Sequence, residues 1–214
     1  MSIVVVNTLD SSTTLGNIDE TCVQQAAVDL RLEKVWTMKG TFTIDEESKQ
    51  HRKTTPMELD ADGYYTMVPG VYECSFDHDI AIGADEAALV ITRSTLVRNG
   101  VLMASGLWDP MFAGRGGCAL HVRGGDFRIK PGTRVAQFVV WKVLNAQGAY
   151  NGSYGLDASG KPKAMEAKYH VESTAPVTQG ALTQGAPGQG QARGSFTGKE
   201  VGEYRVDPTQ SQFV

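Results

Sequence analysis

Four short segments combine charged, hydroxyl and amide side chains in an order that could bind and cleave an anionic ligand. They are 26–32 (Ala-Ala-Val-Asp-Leu-Arg-Leu), 92–100 (Thr-Arg-Ser-Thr-Leu-Val-Arg-Asn-Gly), 106–114 (Gly-Leu-Trp-Asp-Pro-Met-Phe-Ala-Gly) and 131–138 (Pro-Gly-Thr-Arg-Val-Ala-Gln-Phe). Guanidinium groups, hydroxyls and the backbone N–H groups at a helix start bind anionic oxygens. A carboxylate near them can act as a general base on water. Together the segments could place such an acid or base beside an anion-binding group.

Each segment by itself also has an ordinary structural explanation. Asp29 could lie on the solvent face of a strand, Ser94 could cap a helix, and Asp109 before Pro110 could begin a turn. The functional interpretation therefore depends on the presence of all four segments in this order.

Other catalytic motifs are missing from the sequence. The histidines His51, His78, His121 and His170 are not spaced as zinc ligands with a Cys pair or in H-E-x-x-H. The chain contains neither the phosphate loop G-x-x-x-x-G-K-[ST] nor the nucleophile motif G-x-S-x-G. His78 lies in Asp-His-Asp, which we interpret as a solvated acidic turn rather than a metal site.

The composition is that of a globular domain. The 214 residues are 41% hydrophobic and 21% charged, and the net charge of −4 excludes a basic nucleic-acid footprint. No run approaches the roughly 18 apolar residues of a membrane helix, and the first residues do not resemble a secretory signal. Three widely spaced cysteines fit a reducing compartment. We therefore expect a cytoplasmic protein (host cytoplasm if viral) with neither nucleic acid nor membrane as partner.

Short strands must position the candidate side chains. Turn residues recur about every ten positions, and many short strands between turns predict an all-β sandwich or barrel. One short helix is expected over 94–99, with Ser94 as its cap and Gly100 at its end. The polar stretch 41–62 predicts a long loop or an exposed hairpin. The segments with strand-like patterns are 28–32, 86–92 and 135–143.

The composition changes near the end of the chain. Residues 179–198 contain six glycines and a single charged side chain, that of Arg193. Such a segment cannot bury enough apolar surface to order itself. We expect one β-barrel domain over residues 1–176 and a flexible Gly/Gln-rich arm over 177–214.

Jointly, the motifs V-D-L-R-L, R-S-x-L-x-R-x-G, G-x-W-D-x-x-F-x-G and G-x-R-x-A-Q resemble those of the trimeric dUTPase and dCTP deaminase superfamily. The resemblance covers residues 22–143, with a weaker match at 167–169. It implies a distorted all-β jelly-roll barrel with one or two short helices, assembled as a homotrimer with active sites between subunits. The implied substrates are pyrimidine deoxynucleoside triphosphates, and the implied cofactor is Mg²⁺.

The resemblance also assigns roles. Asp109 is the implied catalytic residue, which binds the 3′-hydroxyl and activates water against the α-phosphorus, and Asp29 supports Mg²⁺ indirectly, through water. By the same resemblance, residues of the second segment (92–100) contact the phosphates, as do Gln137 and Lys168. The backbone of Ser105 to Leu107 binds the base. Phe112 packs on the sugar, and Arg193 and Phe196 belong to a closing arm. The implied substrate-binding residues are Arg93, Ser94, Thr95, Arg98, Ser105, Gly106, Leu107, Phe112, Gln137, Lys168, Arg193 and Phe196.

The two branches of the superfamily differ in chemistry. V-D-L-R-L, Arg98 and Ala-Lys-Tyr at 167–169 look more like the dCTP deaminase branch. Its proton-shuttling Glu, however, aligns without a gap to Ala119, which carries no proton; a shift of two positions would place His121 there instead. We prefer the gapless alignment.

This alignment predicts hydrolysis of dUTP to dUMP and pyrophosphate. A dCTP deaminase, alone or bifunctional, and a non-catalytic nucleotide-binding trimer are the alternatives. Trp108 and Val97 depart from the family pattern. They could reshape the pocket for a modified pyrimidine, or they could be changes in core packing, which is the explanation we favour. Base preference, C5 substituents and regulation by dTTP stay open.

Overall fold

The computed structural model describes residues 11–170. In this part of the chain short β-strands predominate, with one α-helix and two 3-10 helices (Glu20–Cys22 and Ala167–Tyr169). The strands and the helix are β1 (Thr14–Leu15), β2 (Val28–Lys39), β3 (Thr43–Ile44), β4 (Lys49–Gln50), β5 (Lys53–Pro56), β6 (Tyr65–Met67), β7 (Gly70–Phe76), β8 (Ile80–Ala81), β9 (Glu86–Thr92), α1 (Ser94–Arg98), β10 (Val101–Ala104), β11 (Ala113–Gly114), β12 (Gly117–Val122), β13 (Phe127–Ile129) and β14 (Arg134–Lys142).

Seven strands form the main sheet, in the order β10-β12-β7-β2-β14-β9, with β5 paired to β2. The outer strands β9 and β10 approach each other at Thr92. Its Oγ1 accepts a hydrogen bond from the backbone N–H of Met103 at 2.7 Å and donates one to the Met103 carbonyl at 3.3 Å. The sheet therefore curls into a nearly closed barrel, which confirms the predicted fold class.

Alternation along the long strands explains the barrel interior. On β12 the even-numbered residues Cys118, Leu120 and Val122 are buried, whereas the odd-numbered ones are half-exposed. This is the period-two pattern of a strand with one face on the core. The buried side chains form one cluster that fills the barrel and includes Leu30, Leu32, Val35, Phe76, Val90, Trp108, Leu120 and Phe138.

The helix α1 connects β9 to β10 at the barrel edge. The residue before it, Arg93, has extended φ/ψ (−63°, 142°) and makes no side-chain capping bond. The prediction that Ser94 is the cap is therefore wrong by one residue, because Ser94 is already helical. Gly100 follows the helix with φ 71°, a left-handed conformation that glycine adopts without strain, as predicted.

Three small sheets surround the barrel. They are β1-β8-β11, the pair β13-β6 and the exposed hairpin β3-β4. The hairpin alternative for 41–62 is confirmed at 43–50, but the sequence did not predict β5 within the same stretch. The expected arm over 177–214 lies outside the described residues, as do both ends of the expected domain. Over residues 11–170, none of the helices has the length and apolar composition needed to cross a membrane.

His78 corrects the expectation of a solvated acidic turn. Its side chain is buried, with 1% of its surface exposed. Its Nε2 accepts a hydrogen bond from the Arg31 backbone N–H at 2.9 Å, and Nδ1 lies 3.1 Å from the Gly16 carbonyl oxygen. Burial lowers the pKa of His78 because it disfavours the charged imidazolium. His78 thus links β2 to the segment before the 3-10 helix at Glu20–Cys22.

Candidate active site

The residues proposed from the sequence fall into two groups in the structure. One group lines a cavity of about 510 Å³ and consists of Gly106, Leu107, Asp109, Phe112 and Lys168. Ser105 adjoins this cavity through its sequence neighbours. The other group lies around the C-terminal end of β9 and the N-terminal end of β14, and it does not line the cavity. It consists of Asp29, Arg93, Ser94, Thr95, Arg98 and Gln137.

Trp108 fixes the position of Asp109. Its backbone exchanges two hydrogen bonds of 2.9 Å with Ala88 on β9, and its indole Nε1 donates to Ser105 Oγ at 3.0 Å. The indole ring packs edge-on against Phe112 and Phe138, with centroid distances of 5.1 and 5.5 Å. Trp108 is therefore a core anchor, which agrees with the core-packing explanation of its departure from the family pattern.

Asp109 follows this anchor and is half-buried at the cavity wall. Its backbone carbonyl accepts a hydrogen bond from the Phe112 N–H at 3.2 Å, so the residues between them form a turn. Met111 in this turn has φ 63°, a strained value for a residue with a side chain. Among residues 11–170, no hydrogen bond or ion pair engages the Asp109 carboxylate, which leaves it available to a ligand or a water molecule.

Phe112 is only 6% exposed and contacts the ring of Tyr150, 5.4 Å away between centroids. The ring thus forms an apolar wall between the turn at Asp109 and the segment after β14. Such a wall suits the apolar face of a sugar or base.

A row of residues crosses the outer face of the sheet beneath the cavity. Ala104 on β10 is opposite Ala119 on β12, Ala119 is opposite Glu73 on β7, and Glu73 is opposite Trp36 on β2. Side chains directly opposite each other share one face of a sheet. Ala119 lines the cavity, whereas His121 does not: it lies between Leu102 and Val71 in the next row.

Glu73 is a cavity residue that the sequence analysis missed. Lys168 Nζ lies 2.6 Å from Glu73 Oε1 and 2.7 Å from Oε2, and the Tyr169 hydroxyl donates to Oε1. Burial, reinforced by the Glu73 carboxylate, raises the pKa of Tyr169. Lys168, expected at the phosphates, is thus held against a carboxylate at the sheet. A lone charged residue in the stretch 71–76 (Val-Tyr-Glu-Cys-Ser-Phe) was the sequence signal, but only the fold shows where its side chain points.

The segment after β14 forms the remaining wall of the cavity and is anchored by Glu166. This carboxylate is fully buried and accepts hydrogen bonds from the backbone N–H groups of Arg115 (2.5 Å), Gly116 (3.2 Å) and Gly155 (3.1 Å). Several N–H donors compensate the desolvation of a buried carboxylate. Glu166 therefore ties this segment to the turn between β11 and β12.

The second group, which together with Arg134 we call the arginine group, centres on Asp29, whose side chain is 1% exposed. Its Oδ2 lies 3.4 Å from an Arg93 nitrogen and 3.3 Å from an Arg134 nitrogen. Gln137 stands opposite Asp29 on the neighbouring strand. Arg134 lies in the motif G-x-R-x-A-Q, but it was not among the site residues predicted from the sequence. Asp29 is thus neither a solvated strand charge nor isolated, because it pairs with two arginines at the end of β9 and β14.

Near this group the polar side chains of α1 are directed to solvent, whereas Leu96 packs against the core. Ser94, Thr95 and Arg98 are all exposed. Arg93 lies five residues beyond Ala88, the partner of Trp108, and five residues of strand span about 16 Å. Within one chain the arginine group and the Asp109 cavity therefore do not form a single site.

The described residues contain no cluster of three or more His, Cys, Asp or Glu side chains that could hold a metal ion. Asp29 Oδ1, however, is buried and has no hydrogen-bond partner within 11–170. A free carboxylate oxygen can accept a hydrogen bond from a metal-bound water. The two neighbouring guanidinium groups oppose direct cation binding, so Asp29 fits an indirect contact to Mg²⁺ only.

Comparison with known proteins identifies the class. A family model described as dCTP deaminase-like matches residues 7–143, and the chain belongs to this family. The probable deoxyuridine 5'-triphosphate nucleotidohydrolase of Methanothermobacter thermautotrophicus is 35% identical over 137 residues, 63% of this chain and 89% of that protein. The deoxyuridine 5'-triphosphate nucleotidohydrolase of Methanocaldococcus jannaschii is 26% identical over 153 residues, 70% of this chain and 97% of the relative.

One solved structure, the 2'-deoxycytidine 5'-triphosphate deaminase from Agrobacterium tumefaciens, is 19% identical. It covers 62% of this chain and 43% of that chain, with a TM-score of 0.45. The family match ends at Val143, directly after β14. The cavity wall that contains Lys168 and Tyr169 therefore lies beyond the matched segment.

Proposed function

We propose that this protein is a dUTP diphosphatase that hydrolyses dUTP to dUMP and pyrophosphate. The observation that carries the proposal is Asp109: its carboxylate, which no residue within 11–170 pairs with, lies at the wall of a cavity large enough for a nucleoside. The names of the curated relatives, dUTP nucleotidohydrolases that align with most of their own length, support the same activity.

The active unit is proposed to be a homotrimer with sites between subunits. The support is the separation, about 16 Å along β9, between the Asp109 cavity and the arginine group. A cavity that takes a nucleoside needs cations for the attached phosphates, and a second copy of the chain can supply them. Ile91 (48% exposed) and Val97 (47% exposed) lie beside the arginine group and could be covered in such an assembly.

In this mechanism Asp109 binds the 3′-hydroxyl of the deoxyribose and accepts a proton from the attacking water. The water then adds to the α-phosphorus, and pyrophosphate leaves. Phe112 packs against the sugar, and the backbone of Ser105, Gly106 and Leu107 reads the base. Arg93, Ser94, Thr95, Arg98 and Gln137, contributed by a neighbouring subunit, bind the phosphates and stabilise the charge that develops on them.

Asp29 would hold Mg²⁺ through a water molecule bound to Oδ1, which has no hydrogen-bond partner within residues 11–170. When bound, the ion neutralises charge on the phosphate oxygens. Asp29 also aligns Arg93 and Arg134 by ion pairing, a role that needs no metal.

Deamination of dCTP is not favoured. The methyl side chain of Ala119 lines the cavity but cannot accept or donate a proton, and His121 does not line the cavity. Neither residue therefore offers the proton shuttle that deamination requires. Arg193 and Phe196 lie outside the described residues, and their closing role stays a prediction. A cytoplasmic location also stays a prediction, consistent with the free thiols of Cys22, Cys74 and Cys118.

The decisive experiment measures pyrophosphate and dUMP from dUTP with Mg²⁺, together with ammonia from dCTP. Loss of a general base reduces rates by about 10²–10⁴-fold, so Asp109→Asn should reduce kcat by that order without changing subunit mass in light scattering. Asp126→Asn, which alters an exposed carboxylate outside the cavity, is the matched control. Wild-type activity in Asp109→Asn would contradict the role of Asp109, and a monomer in solution would contradict the shared site.

A further inference from the structure

The two carboxylate oxygens of Glu166 bind two different parts of the cavity wall. Oε1 accepts hydrogen bonds from the backbone N–H groups of Arg115 and Gly116, in the turn between β11 and β12. Oε2 accepts a hydrogen bond from the N–H of Gly155, in the segment after β14. His170 Nε2 also lies 3.1 Å from Oε1. One fully buried side chain therefore joins two segments that are distant in sequence.

The Oε1 side of Glu166 supports the anchor of Asp109. Gly116 has φ 63°, and a Cβ there would lie 2.3 Å from Cη2 of Trp108, so the indole ring rests directly on the Gly116 backbone. The Trp108 backbone pairs with Ala88 and thereby fixes the start of the turn that carries Asp109. Because close-packed groups transmit strain, a shift of the Gly116 backbone would reach Asp109 through the indole ring.

The Oε2 side of Glu166 supports the apolar wall at Phe112. Gly155 has φ 77°, and a Cβ there would lie 2.5 Å from the Ala113 carbonyl oxygen and 3.0 Å from Cε2 of Phe112. The Leu156 N–H donates a hydrogen bond to the same Ala113 carbonyl at 2.6 Å. The backbone of the segment after β14 therefore packs directly against the ring that is proposed to contact the sugar.

Only a carboxylate can serve both sides. Each backbone group that Glu166 binds is an N–H donor, and a carboxylate accepts hydrogen bonds on both oxygens. A glutamine of the same shape has one accepting oxygen and one NH₂ group, and the NH₂ group would face a donor on one of the two sides. Glutamine can therefore hold one wall but not both, and it leaves a buried N–H group unpaired.

We propose that Glu166 is a positioning residue for dUTP hydrolysis, which fixes from two sides the stretch 109–112 that carries Asp109 and Phe112. Glu166 is fully buried and does not line the cavity, so it acts through its contacts with the two walls. The inference rests on the proposed function, in which Asp109 must be aligned with the 3′-hydroxyl and the attacking water. A misplacement of about 1 Å can reduce a rate by about 10²-fold.

Glu166→Gln tests the proposal against Glu33→Gln. Glu33 contacts the guanidinium group of Arg115 at 2.7 Å, and it does not line the cavity. We expect Glu166→Gln to reduce kcat for pyrophosphate release from dUTP by on the order of 10²-fold. KM should change much less, because the base and the phosphates are bound elsewhere. Glu33→Gln should retain the wild-type kcat. Because kcat is calculated per folded protein, a loss of stability alone does not reduce it.

A pair of glycines tests the same contact without altering Glu166. Gly155 and Gly160 have nearly the same φ, 77° and 78°, but a Cβ at Gly160 would have nothing within 4 Å. Both alanine variants therefore carry the same backbone strain, and only Gly155→Ala displaces the segment from Phe112. Gly155→Ala should reduce kcat as Glu166→Gln does, whereas Gly160→Ala should retain it.

Two results would overturn the assignment of Glu166. One is equal kcat in the two glycine variants, which decides the question even where Glu166→Gln does not fold. The other is a folded Glu166→Gln protein whose kcat matches that of the wild type or of Glu33→Gln. A wild type that releases no pyrophosphate from dUTP would instead contradict the proposed function, and this inference with it, so the two failures are distinguishable.

Discussion

Ala119 and Glu73 lie directly opposite each other on β12 and β7, and both line the cavity that contains Asp109. The sequence shows only that position 119 lacks a carboxylate. The fold places a carboxylate on the adjacent strand, where Lys168 and Tyr169 bind it. The cavity therefore has an acidic group next to position 119, although the linear motif has none there.

A second carboxylate at position 119 should destabilise the barrel. Ala119→Glu would place two negative charges in a directly opposed pair, and such pairs are unfavourable by up to about 1 kcal/mol. Urea unfolding at fixed protomer concentration should show this loss relative to Ala119→Gln, which has nearly the same size. Adding Glu73→Gln to Ala119→Glu should remove the difference. Equal stability of the Glu and Gln variants would contradict the opposed register.

Gly116 makes room for the ring that positions Asp109. A Cβ at this glycine would lie 2.3 Å from Trp108 Cη2, and its φ of 63° is already unfavourable for other residues. Gly132 has φ 80° but nothing within 4 Å of a Cβ, so Gly132→Ala isolates the backbone contribution. We expect Gly116→Ala to be less stable than Gly132→Ala by about 2 kcal/mol because of overpacking.

The same two variants, Gly116→Ala and Gly132→Ala, also test whether Trp108 positions Asp109 for catalysis. Displacement of Trp108 should shift Asp109 and reduce dUTP turnover in Gly116→Ala, with a change in near-ultraviolet circular dichroism. Gly132→Ala should retain both the signal and the activity. A Gly116→Ala protein with normal turnover would show that Trp108 does not position Asp109.

The elements that the sequence predicted are those with strong local patterns. Alternating apolar residues identified part of β2, an apolar run identified β9, and β-branched and aromatic residues after a Pro-Gly pair identified β14. The helix cap near Ser94 was misplaced by one residue. The hairpin β3-β4 was one of two alternatives, and β5 was missed. Residues 53–56 of β5 carry little apolar signal, and their pairing with β2 depends on partners 14 to 20 positions away.

The polar residues of the site were harder to predict because their burial depends on distant partners. His78 is buried by contacts with Arg31 and Gly16, and Glu73 meets Lys168 across 95 positions. Such pairings follow from strand order, which local periodicity does not specify. Asp109 and Phe112 were found because a motif carried them, whereas Arg134 lay within a motif and was still overlooked.

His78 should make stability depend on pH in a defined window. Burial lowers the pKa of His78 from the ordinary value of 6.5. The nearby positive charge of Arg31 lowers this pKa further, whereas the negative charge of Asp77 raises it. Between the lowered value and 6.5 the unfolded chain binds a proton that the folded chain does not. Stability therefore falls as the pH decreases from 6.5 through this window and is fully present above it.

His78→Gln retains a hydrogen-bond acceptor for the Arg31 N–H but has no titrating group. Unfolding measured between pH 7.5 and about 5 should show a weaker pH dependence for this variant. His51→Gln, a change at an exposed residue, should preserve the wild-type slope. The carboxylates with lowered pKa, such as Asp19 at about 2, titrate at lower pH and so do not produce this slope. An identical slope in His78→Gln would contradict the assignment.

Asp29 should contribute to both stability and phosphate binding, through the two arginines it aligns. Asp29→Ala leaves Arg93 and Arg134 without their shared carboxylate. Breaking a buried pair costs about 3–5 kcal/mol, and because both arginines are about a third exposed we expect roughly 2 kcal/mol here.

Asp29→Asn, which retains the shape but not the charge, should lose less stability and should raise KM for dUTP more than it lowers kcat, because the arginines would no longer be oriented. Arg134→Lys tests the same alignment from the other side, since a lysine cannot reproduce the guanidinium geometry. If Asp29 acted only as a metal ligand, added Mg²⁺ would restore KM in Asp29→Asn. Alignment of the arginines instead predicts a KM that excess Mg²⁺ leaves unchanged, and titration of the metal at fixed ionic strength decides between the two.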